Sequence, residues 1–459
     1  MSGKLNLYGW LGVNVDKSEV HLEDGELTKS QNWINSDRVS GGLRKRPGLT
    51  KINSSAGGSG TSVTGAISSA HTQTLTNTFY AGIQAISAGS GTPSSTWRTS
   101  TNGTSWSAAT SPARPAHITN ITVLSVSEGY ARCISFNGKL YWAGDDYTVA
   151  SSSPTIHQWD GTTDIIVGTI PYNIAAGAGT FSRGVTCMAP YDASSFLIAT
   201  QDDASGAGLK TARVLLFNPT TGTFTQLGPT AAVGSTEFAG HQVTCMVHHS
   251  NRVWLGTLNY GSGTGKIYFI RPTQDTTWTL DTTLGAAYNV ESLCVYKGEL
   301  YVGTNAVALG NPGIIYVRST VGAYTASLTF SNNTSGYSTT SAMVAGNSRG
   351  SLGDNLYALT FDDGIAAVQN RPTIRKYDGT SWTTVYTLGD LGASRAQNRF
   401  GMGIVGPDNA AYFIIAEQDA GASADVNSDG LILRSTNGTT WTEVDQITNL
   451  HGVIGFTRT

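Results

Sequence analysis

Charge is scarce in this chain. Lys, Arg, Asp and Glu make up 13% of its 459 residues, about half the usual share. The net charge of −3 gives no electrostatic case for nucleic-acid binding by the whole protein. Low charge alone does not mean disorder, because aromatics are plentiful: 19 Tyr, 13 Phe and 10 Trp. No apolar run approaches the roughly 18 residues of a membrane helix. Met1-Ser2-Gly3-Lys4-Leu5-Asn6 lacks the apolar core and cleavage site of a secretory signal, so synthesis in the cytosol is expected. Cysteine is limited to Cys133, Cys187, Cys245 and Cys294, without CxxC-like spacing. That argues against a disulfide framework or a zinc site, and for small buried apolar residues. The histidines show no HExxH spacing. Gly261-Ser262-Gly263-Thr264-Gly265-Lys266 runs into Ile267, where a phosphate loop needs Ser or Thr. No Gly-x-Ser-x-Gly elbow stands between a strand and a helix. Nothing assembles a nucleophile with its base, so no enzymatic activity and no obligatory cofactor are expected.

Glycine is abundant, 55 of 459 residues, which with Ser and Thr suits short strands and tight turns. From about residue 63 the chain repeats with a period near 50, the signature of a propeller or array. Each copy has a short strand, a turn, and an apolar strand ending in a small residue. Examples are Cys187-Met188 with Phe196-Leu197-Ile198-Ala199-Thr200, and Cys294-Val295 with Leu300-Tyr301-Val302-Gly303-Thr304. Counting a degenerate first copy at Ala66-Ile67 with Phe79-Tyr80-Ala81-Gly82, there are seven. All four cysteines fall at one repeat position, which Met343 and Met402 then take over. A third strand follows in each copy, such as Ile156-His157-Gln158-Trp159, then a turn into a fourth.

Those turns are the most regular feature: Ser100-Thr101-Asn102-Gly103-Thr104-Ser105-Trp106, Tyr377-Asp378-Gly379-Thr380-Ser381-Trp382 and Ser435-Thr436-Asn437-Gly438-Thr439-Thr440-Trp441. Asn-Gly and Asp-Gly supply the positive φ of tight hairpins, and the Trp would cap the layer between neighbouring sheets. The expected fold is all-β: a seven-bladed β-propeller over residues 56–459, with a short N-terminal docking segment over residues 1–55. A β-sandwich array is the rival, and the regular four-strand register argues against it. The turns resemble degenerate Asp-boxes of sialidase-like propellers, a structural motif also found in non-enzymes. Such a site also needs an Arg cluster and a Tyr–Glu pair. Phe269-Ile270-Arg271-Pro272 is only faintly similar to that family's Arg-containing motif.

Asp425-Val426-Asn427-Ser428-Asp429-Gly430 matches the first half of a calcium loop, with Asp425, Asn427 and Asp429 as candidate ligands. The second half fails, since Thr436 stands where an EF-hand has Glu, so a metal-free turn remains the other reading. Asp145-Asp146, Asp202-Asp203 and Asp362-Asp363 would share one face of the disc, as solvated loop tips or as a docking rim for a basic partner.

The first 55 residues are too polar for a core of their own. In order they carry Leu7-Tyr8-Gly9-Trp10, Leu22-Glu23-Asp24-Gly25-Glu26, Gln31-Asn32-Trp33 and Gly42-Leu43-Arg44-Lys45-Arg46-Pro47-Gly48. A linker-like Ser54-Ser55-Ala56-Gly57-Gly58-Ser59-Gly60 follows. This series resembles the opening of tailed-bacteriophage virion proteins, with Trp33 in place of the usual Val. The resemblance covers about 50 residues and extends to the tail nozzle or tail-hub proteins of short-tailed phages, which carry propeller-like domains.

That resemblance implies a virion structural protein, assembled in the host cytoplasm as a ring-shaped homo-oligomer. Its partners would be adaptor, portal or tail proteins, with packaged DNA near the lumen and no membrane. Trp33, Arg44, Lys45 and Arg46 are the candidate assembly contacts. A decoration or fibre-attachment protein, or a carbohydrate-binding propeller for host adsorption, are the alternatives. The last of these predicts exposed Trp or Tyr.

Overall fold

The computed structural model describes residues 78–86, 93–108, 133–144, 155–171, 180–204, 210–227, 238, 241–259, 264–285, 287–306, 311–330, 338–346, 350–362, 371–388, 397–406, 409–419, 429–448 and 450–458, with four short strands between residues 12 and 45. The chain divides into two compact units, Met1–Thr72 and Gln73–Thr459. In the first, β1 (Gly12–Val13) pairs in parallel with β2 (Glu26–Leu27), and β3 (Trp33–Asn35) pairs antiparallel with β4 (Leu43–Lys45). The linker-like stretch from Ser54 lies outside the described residues.

The second unit is all β, arranged as antiparallel meanders. β5 (Phe79–Ile86), β6 (Pro93–Ser100) and β7 (Ser107–Ala108) form one sheet. β8 (Cys133–Phe136), β9 (Lys139–Gly144), β10 (Thr155–Trp159) and β11 (Asp164–Thr169) form the next. A third comprises β12 (Thr180–Pro190), β13 (Phe196–Ala204), β14 (Lys210–Asn218) and β15 (Thr223–Gln226). A fourth comprises β16 (His241–His249), β17 (Arg252–Asn259), β18 (Lys266–Ile270) and β19 (Thr279–Thr283).

Then come two meanders fused into one eight-stranded sheet. The first is β20 (Tyr288–Tyr296), β21 (Glu299–Ala306), β22 (Gly313–Arg318) and β23 (Tyr324–Phe330). The second is β24 (Thr339–Ala345), β25 (Leu356–Asp362), β26 (Arg371–Tyr377) and β27 (Trp382–Thr387). They join only where Asn305 pairs with Thr339. The last meander is β28 (Gln397–Val405), β29 (Ala411–Asp419), β30 (Asp429–Ser435) and β31 (Thr442–Thr448). Finally β32 (Leu450–Arg458) runs antiparallel to β5 and completes the sheet β32-β5-β6-β7. Val453-Ile454-Gly455-Phe456 lies within this closing strand.

The hairpins form where the sequence supplies positive φ. Asn137 and Gly138 (φ 50° and 73°) turn β8 into β9, and Lys297 and Gly298 (φ 49° and 78°) turn β20 into β21. The core is a series of layers between successive sheets, giving a β-propeller-like arrangement. In one layer Ile134, Tyr141 and Ile156 meet Val185, Ile198 and Phe217 of the following sheet. In another, Tyr80 and Trp97 meet Leu140, Trp142 and Trp159. Each such large side chain contributes about 1.5–3 kcal/mol by leaving water.

The small residue that closes the apolar run inside two of these second strands, β17 and β21, has a physical cause. At Gly256 a Cβ would strike Val290 of the next sheet, and at Gly303 it would strike Thr340. Glycine therefore sets how closely the next first strand approaches. The first strands also carry matched β-bulges, between Val243 and Cys245, Val290 and Ser292, and Thr340 and Ala342. Two of the extra residues bond forward to the next sheet: Thr244 Oγ1 donates to Val290 O at 2.7 Å, and Ser341 Oγ to Gly401 O at 2.9 Å.

The strand register corrects the sequence reading of the cysteines. All four lie on first strands, but at three register positions, not one. Cys187 faces Ala199 and Cys245 faces Gly256 at the same place in the repeat; Cys133, facing Trp142, lies one residue nearer the hairpin, and Cys294, facing Tyr301, lies two nearer. Met343 and Met402, facing Ala358 and Ile414, share the place of Cys133. The first hairpin turns differ in length, five residues between Pro190 and Phe196 but two between His249 and Arg252, so a near-constant sequence period does not fix the register. All four thiols are free. Burial raises each one, Cys245 and Cys294 to about 12, so they are protonated and inert at neutral pH.

The closing sheet is also tied to its neighbour by charge. Arg98 on β6 donates to both Asp445 oxygens on β31, at 2.6–2.9 Å. The pair is largely shielded from water, so a double-mutant cycle over Arg98→Ala and Asp445→Ala should return a coupling of about 1–2 kcal/mol in urea unfolding. Additive single effects would show that the contact contributes nothing to closure.

Candidate functional site

The repeated turns act as keys between sheets. In the first, the Asn102 side-chain oxygen accepts from the amides of Thr104 and Ser105, and Ser100 Oγ accepts from Gly103 at 2.8 Å. Gly103 (φ +70°) lies against the ring of Tyr412, on β29 of another sheet. Ser435, Asn437 and Gly438 repeat this on Tyr357 of β25. Asp160 and Asp378 play the Asn role, and the amides bonded to them hold both carboxyls below the usual range. The tryptophans reach the preceding sheet as expected. Trp278 Nε1 donates to Leu227 O at 2.7 Å and Trp382 Nε1 to Ser327 Oγ at 3.0 Å.

At the opposite end of the strands lies a buried polar strip. His241 is 3% exposed. Its Nδ1 meets Thr257 Oγ1 at 3.1 Å and its Nε2 meets Asn259 Nδ2 at 3.2 Å. The Asn259 amide donates to Asn289 Oδ1 of the next sheet at 2.9 Å. Asn289 then pairs with Asn305, which pairs with Thr339. One side-chain oxygen thus bridges to the next meander, and backbone pairing carries the strip on to Thr339. Burial, helped by the Lys266 charge, lowers the His241 pKa to about 4. An unfolded histidine protonates near 6.5, so this group favours folding fully above pH 6.5. The contribution is lost as pH falls toward 4. The urea midpoint should drop by the equivalent of roughly 2–3 kcal/mol between pH 7 and pH 4, and His241→Gln should flatten that slope. An unchanged slope in the variant would mean other groups set the acid limit.

The sequence missed one constellation. Thr155 Oγ1 lies 3.1 Å from His157 Nε2, and His157 Nδ1 lies 3.2 Å from Asp164 Oδ1. The imidazole stacks on Trp142, with ring centroids 5.2 Å apart. Hydroxyl, imidazole and carboxylate in series are the ingredients of nucleophile activation. Here Thr155 is 9% exposed and the series clasps β10 to β11. The only signal was residues i and i+2 on one strand, facing a residue across a hairpin.

The residues singled out from the sequence that are described lie in both compact units. Trp33, Arg44 and Lys45 lie in the β3–β4 hairpin, with Trp33 opposite Lys45 and Ile34 opposite Arg44. Arg46, Asp425 and Asn427 fall outside the described residues, and Asp429 opens β30 opposite Thr448. Asp145, Asp146 and Asp363 also fall outside. Asp202, Asp203 and Asp362 end second strands opposite Thr211, Lys210 and Arg371. Arg271, of the sialidase-like stretch, is held at a hairpin by Asp275, with Nη2 and Oδ1 2.7 Å apart. Burial alone would raise the Asp281 carboxyl. Arg318 and Tyr324 donate to it and hold it low, another tie between sheets.

No family model matches the chain, and no curated protein matches it. Among solved structures, a Lactobacillus plantarum protein is similar, with a TM-score of 0.52 and 12% identity, over 84% of this chain and 100% of that one. The likeness is one of fold. A Trypanosoma rangeli sialidase matches at TM-score 0.41 and 12% identity, over 64% of this chain and 53% of its own. The Aleuria aurantia lectin matches at TM-score 0.43 and 13% identity, over 72% of this chain and 96% of its own.

Proposed function

We propose that the chain is a non-enzymatic structural protein of a tailed-phage virion, a seven-bladed propeller carried by an N-terminal docking unit and assembled as a ring. The blade count is supported by the contacts of first strands. β32 touches β8, β8 touches β12, and the series runs through β16, β20, β24 and β28 back to β32. Splitting the eight-stranded sheet at Asn305–Thr339 leaves a four-stranded meander at each step.

The observation that carries the virion reading is the β3–β4 hairpin. The segments on which the phage resemblance rests, around Trp33 and from Leu43 to Lys45, pair with each other in a unit of their own. The first 55 residues are by composition too polar for a core of their own. Such a unit is suited to docking on other virion proteins, with Arg44, Lys45 and Arg46 meeting acidic surfaces. A nozzle or hub position is favoured over decoration or fibre attachment on that resemblance. The carbohydrate alternative predicts exposed Trp or Tyr; among the described residues these side chains are buried or half-buried, as at Trp106, Tyr324 and Trp382.

Native mass measurement and negative-stain imaging of the purified chain test the proposal. A closed ring is expected, and deleting residues 1–40 should keep the propeller folded yet stop incorporation into particles. A strict monomer that binds glycans, or turnover of sialosides, would overturn it.

A further inference from the structure

Asn-Gly pairs occur at Asn102-Gly103, Asn137-Gly138 and Asn437-Gly438, and the fold holds them differently. An Asn-Gly pair is a chemically weak point in any chain. The glycine nitrogen can attack the asparagine Cγ, forming an N–Cγ bond and a five-membered succinimide. The Cγ–Nδ2 bond breaks, and the side-chain nitrogen leaves as ammonia with the glycine amide proton. Water then opens the ring at either carbonyl, giving aspartate or isoaspartate. The attack needs a glycine N–H that is not held and an asparagine side chain free to turn onto it.

Two of the pairs lack both conditions. Gly103 and Gly438 are buried, and each N–H donates to a serine Oγ at 2.8 Å. The side-chain oxygens of Asn102 and Asn437 each accept from two further amides at 2.8–2.9 Å. Asn137 is exposed, at the tip of the β8–β9 hairpin. With φ of 50° and 73°, Asn137 and Gly138 form the two-residue turn whose second amide lies outside the ladder. Gly138 N–H makes no hydrogen bond among the described residues, and the space beside Gly138 is open. The side chain of Asn137 has one hold: Nδ2 donates to Ala193 O of the β12–β13 hairpin at 3.1 Å, in an exposed bond.

The bonded atom also differs. In the turn at Asn102 the side-chain oxygen makes the closing bonds, and Asp160 and Asp378 do the same work with a carboxylate in sister turns. At Asn137 the nitrogen makes the bond. A carboxylate there has nothing to donate, and its charge would face a carbonyl in a turn that already holds Asp192.

We infer that Asn137-Gly138 is a site of spontaneous deamidation, and that the reaction cuts the tie from the β8–β9 hairpin to the β12–β13 hairpin. The chain would thus carry an age-dependent weak point at one seam between sheets, while the same dipeptide in the other two turns is protected.

The test is peptide mapping by mass spectrometry of the full chain, held folded in mildly alkaline buffer and, in parallel, unfolded in guanidinium. In the folded chain, deamidation at Asn137 is expected to outrun that at Asn102 and Asn437 at least about tenfold, because several hydrogen bonds hold the latter two. In the unfolded chain all three should react at similar rates. Equal rates in the folded chain, a faster reaction at Asn102 or Asn437, or an Asn137 that reacts only when unfolded would overturn the proposal. Asn137→Asp reads the consequence. Its denaturant midpoint should fall below the parent's, while that of Asn102→Asp stays close to it. A parental midpoint in Asn137→Asp, or an equal fall in both variants, would refute the severed tie.

Discussion

Deleting residues 450–459 is expected to abolish cooperative folding of the second unit. β32 supplies the first strand of the sheet β32-β5-β6-β7, pairing with β5 from Arg458 opposite Phe79 to Leu450 opposite Ala85. It also lies against β28 and β29 on one side and β8 on the other. Without it β5 has a bare edge, and Phe79, Tyr80 and Ala81, all buried, lose part of their cover. Stability of a domain is on the order of 5–15 kcal/mol, and losing a whole strand from a closed arrangement removes a comparable amount. Circular dichroism and calorimetry should show no sharp transition and a chain prone to aggregation. A synthetic peptide of residues 450–458 added during refolding should restore the transition. A truncated chain melting within a few degrees of the parent would show that closure contributes little.

Gly438→Ala is expected to be the most damaging single substitution in a turn. Gly438 has φ +70°, and an added Cβ would run into the hydroxyl and ring of Tyr357. The backbone strain costs about 1–2 kcal/mol and the overpacking about 1–3 kcal/mol, so denaturant unfolding should report a loss of about 2–5 kcal/mol. Gly103→Ala, facing Tyr412 in the same way, should behave alike. Combining Gly438→Ala with Tyr357→Phe removes the hydroxyl and should relieve only its share of the clash, since the ring still meets the added Cβ, and none of the strain. If both Ala variants unfold like the parent, the turns are not keys between sheets.

These keys were legible in the sequence because Ser, Asn, Gly and Trp each have one local role in the turn. The meander order was legible for a similar reason, since apolar runs and Asn-Gly or Asp-Gly turns recur together. Register was not. The bulges at Thr244, Glu291 and Ser341 insert residues without any change in composition, and the hairpin turns vary in length, so a period read from sequence put at one position the cysteines that pair at three. The Thr155–His157–Asp164 clasp and the strip from His241 to Thr339 were hidden because their members are far apart or unremarkable in sequence. What joins them is cross-strand pairing, which exists only once the sheets are in register. The candidate assembly residues Trp33, Arg44 and Lys45 were visible only as a motif; their pairing as a hairpin gave that motif a form.

The β32–β5 pairing has a consequence for chain connectivity. The two ends of the second unit meet inside one sheet, so the point at which the chain starts is a matter of covalent order and not of architecture. Joining Arg458 to Phe79 through a short linker and opening the chain at the Asn137–Gly138 hairpin would preserve every pairing of that sheet. Such a permuted protein would turn the one seam held by hydrogen bonds into a peptide-linked one. Its resistance to unfolding, measured against the parent, would report how much of the stability resides in that seam.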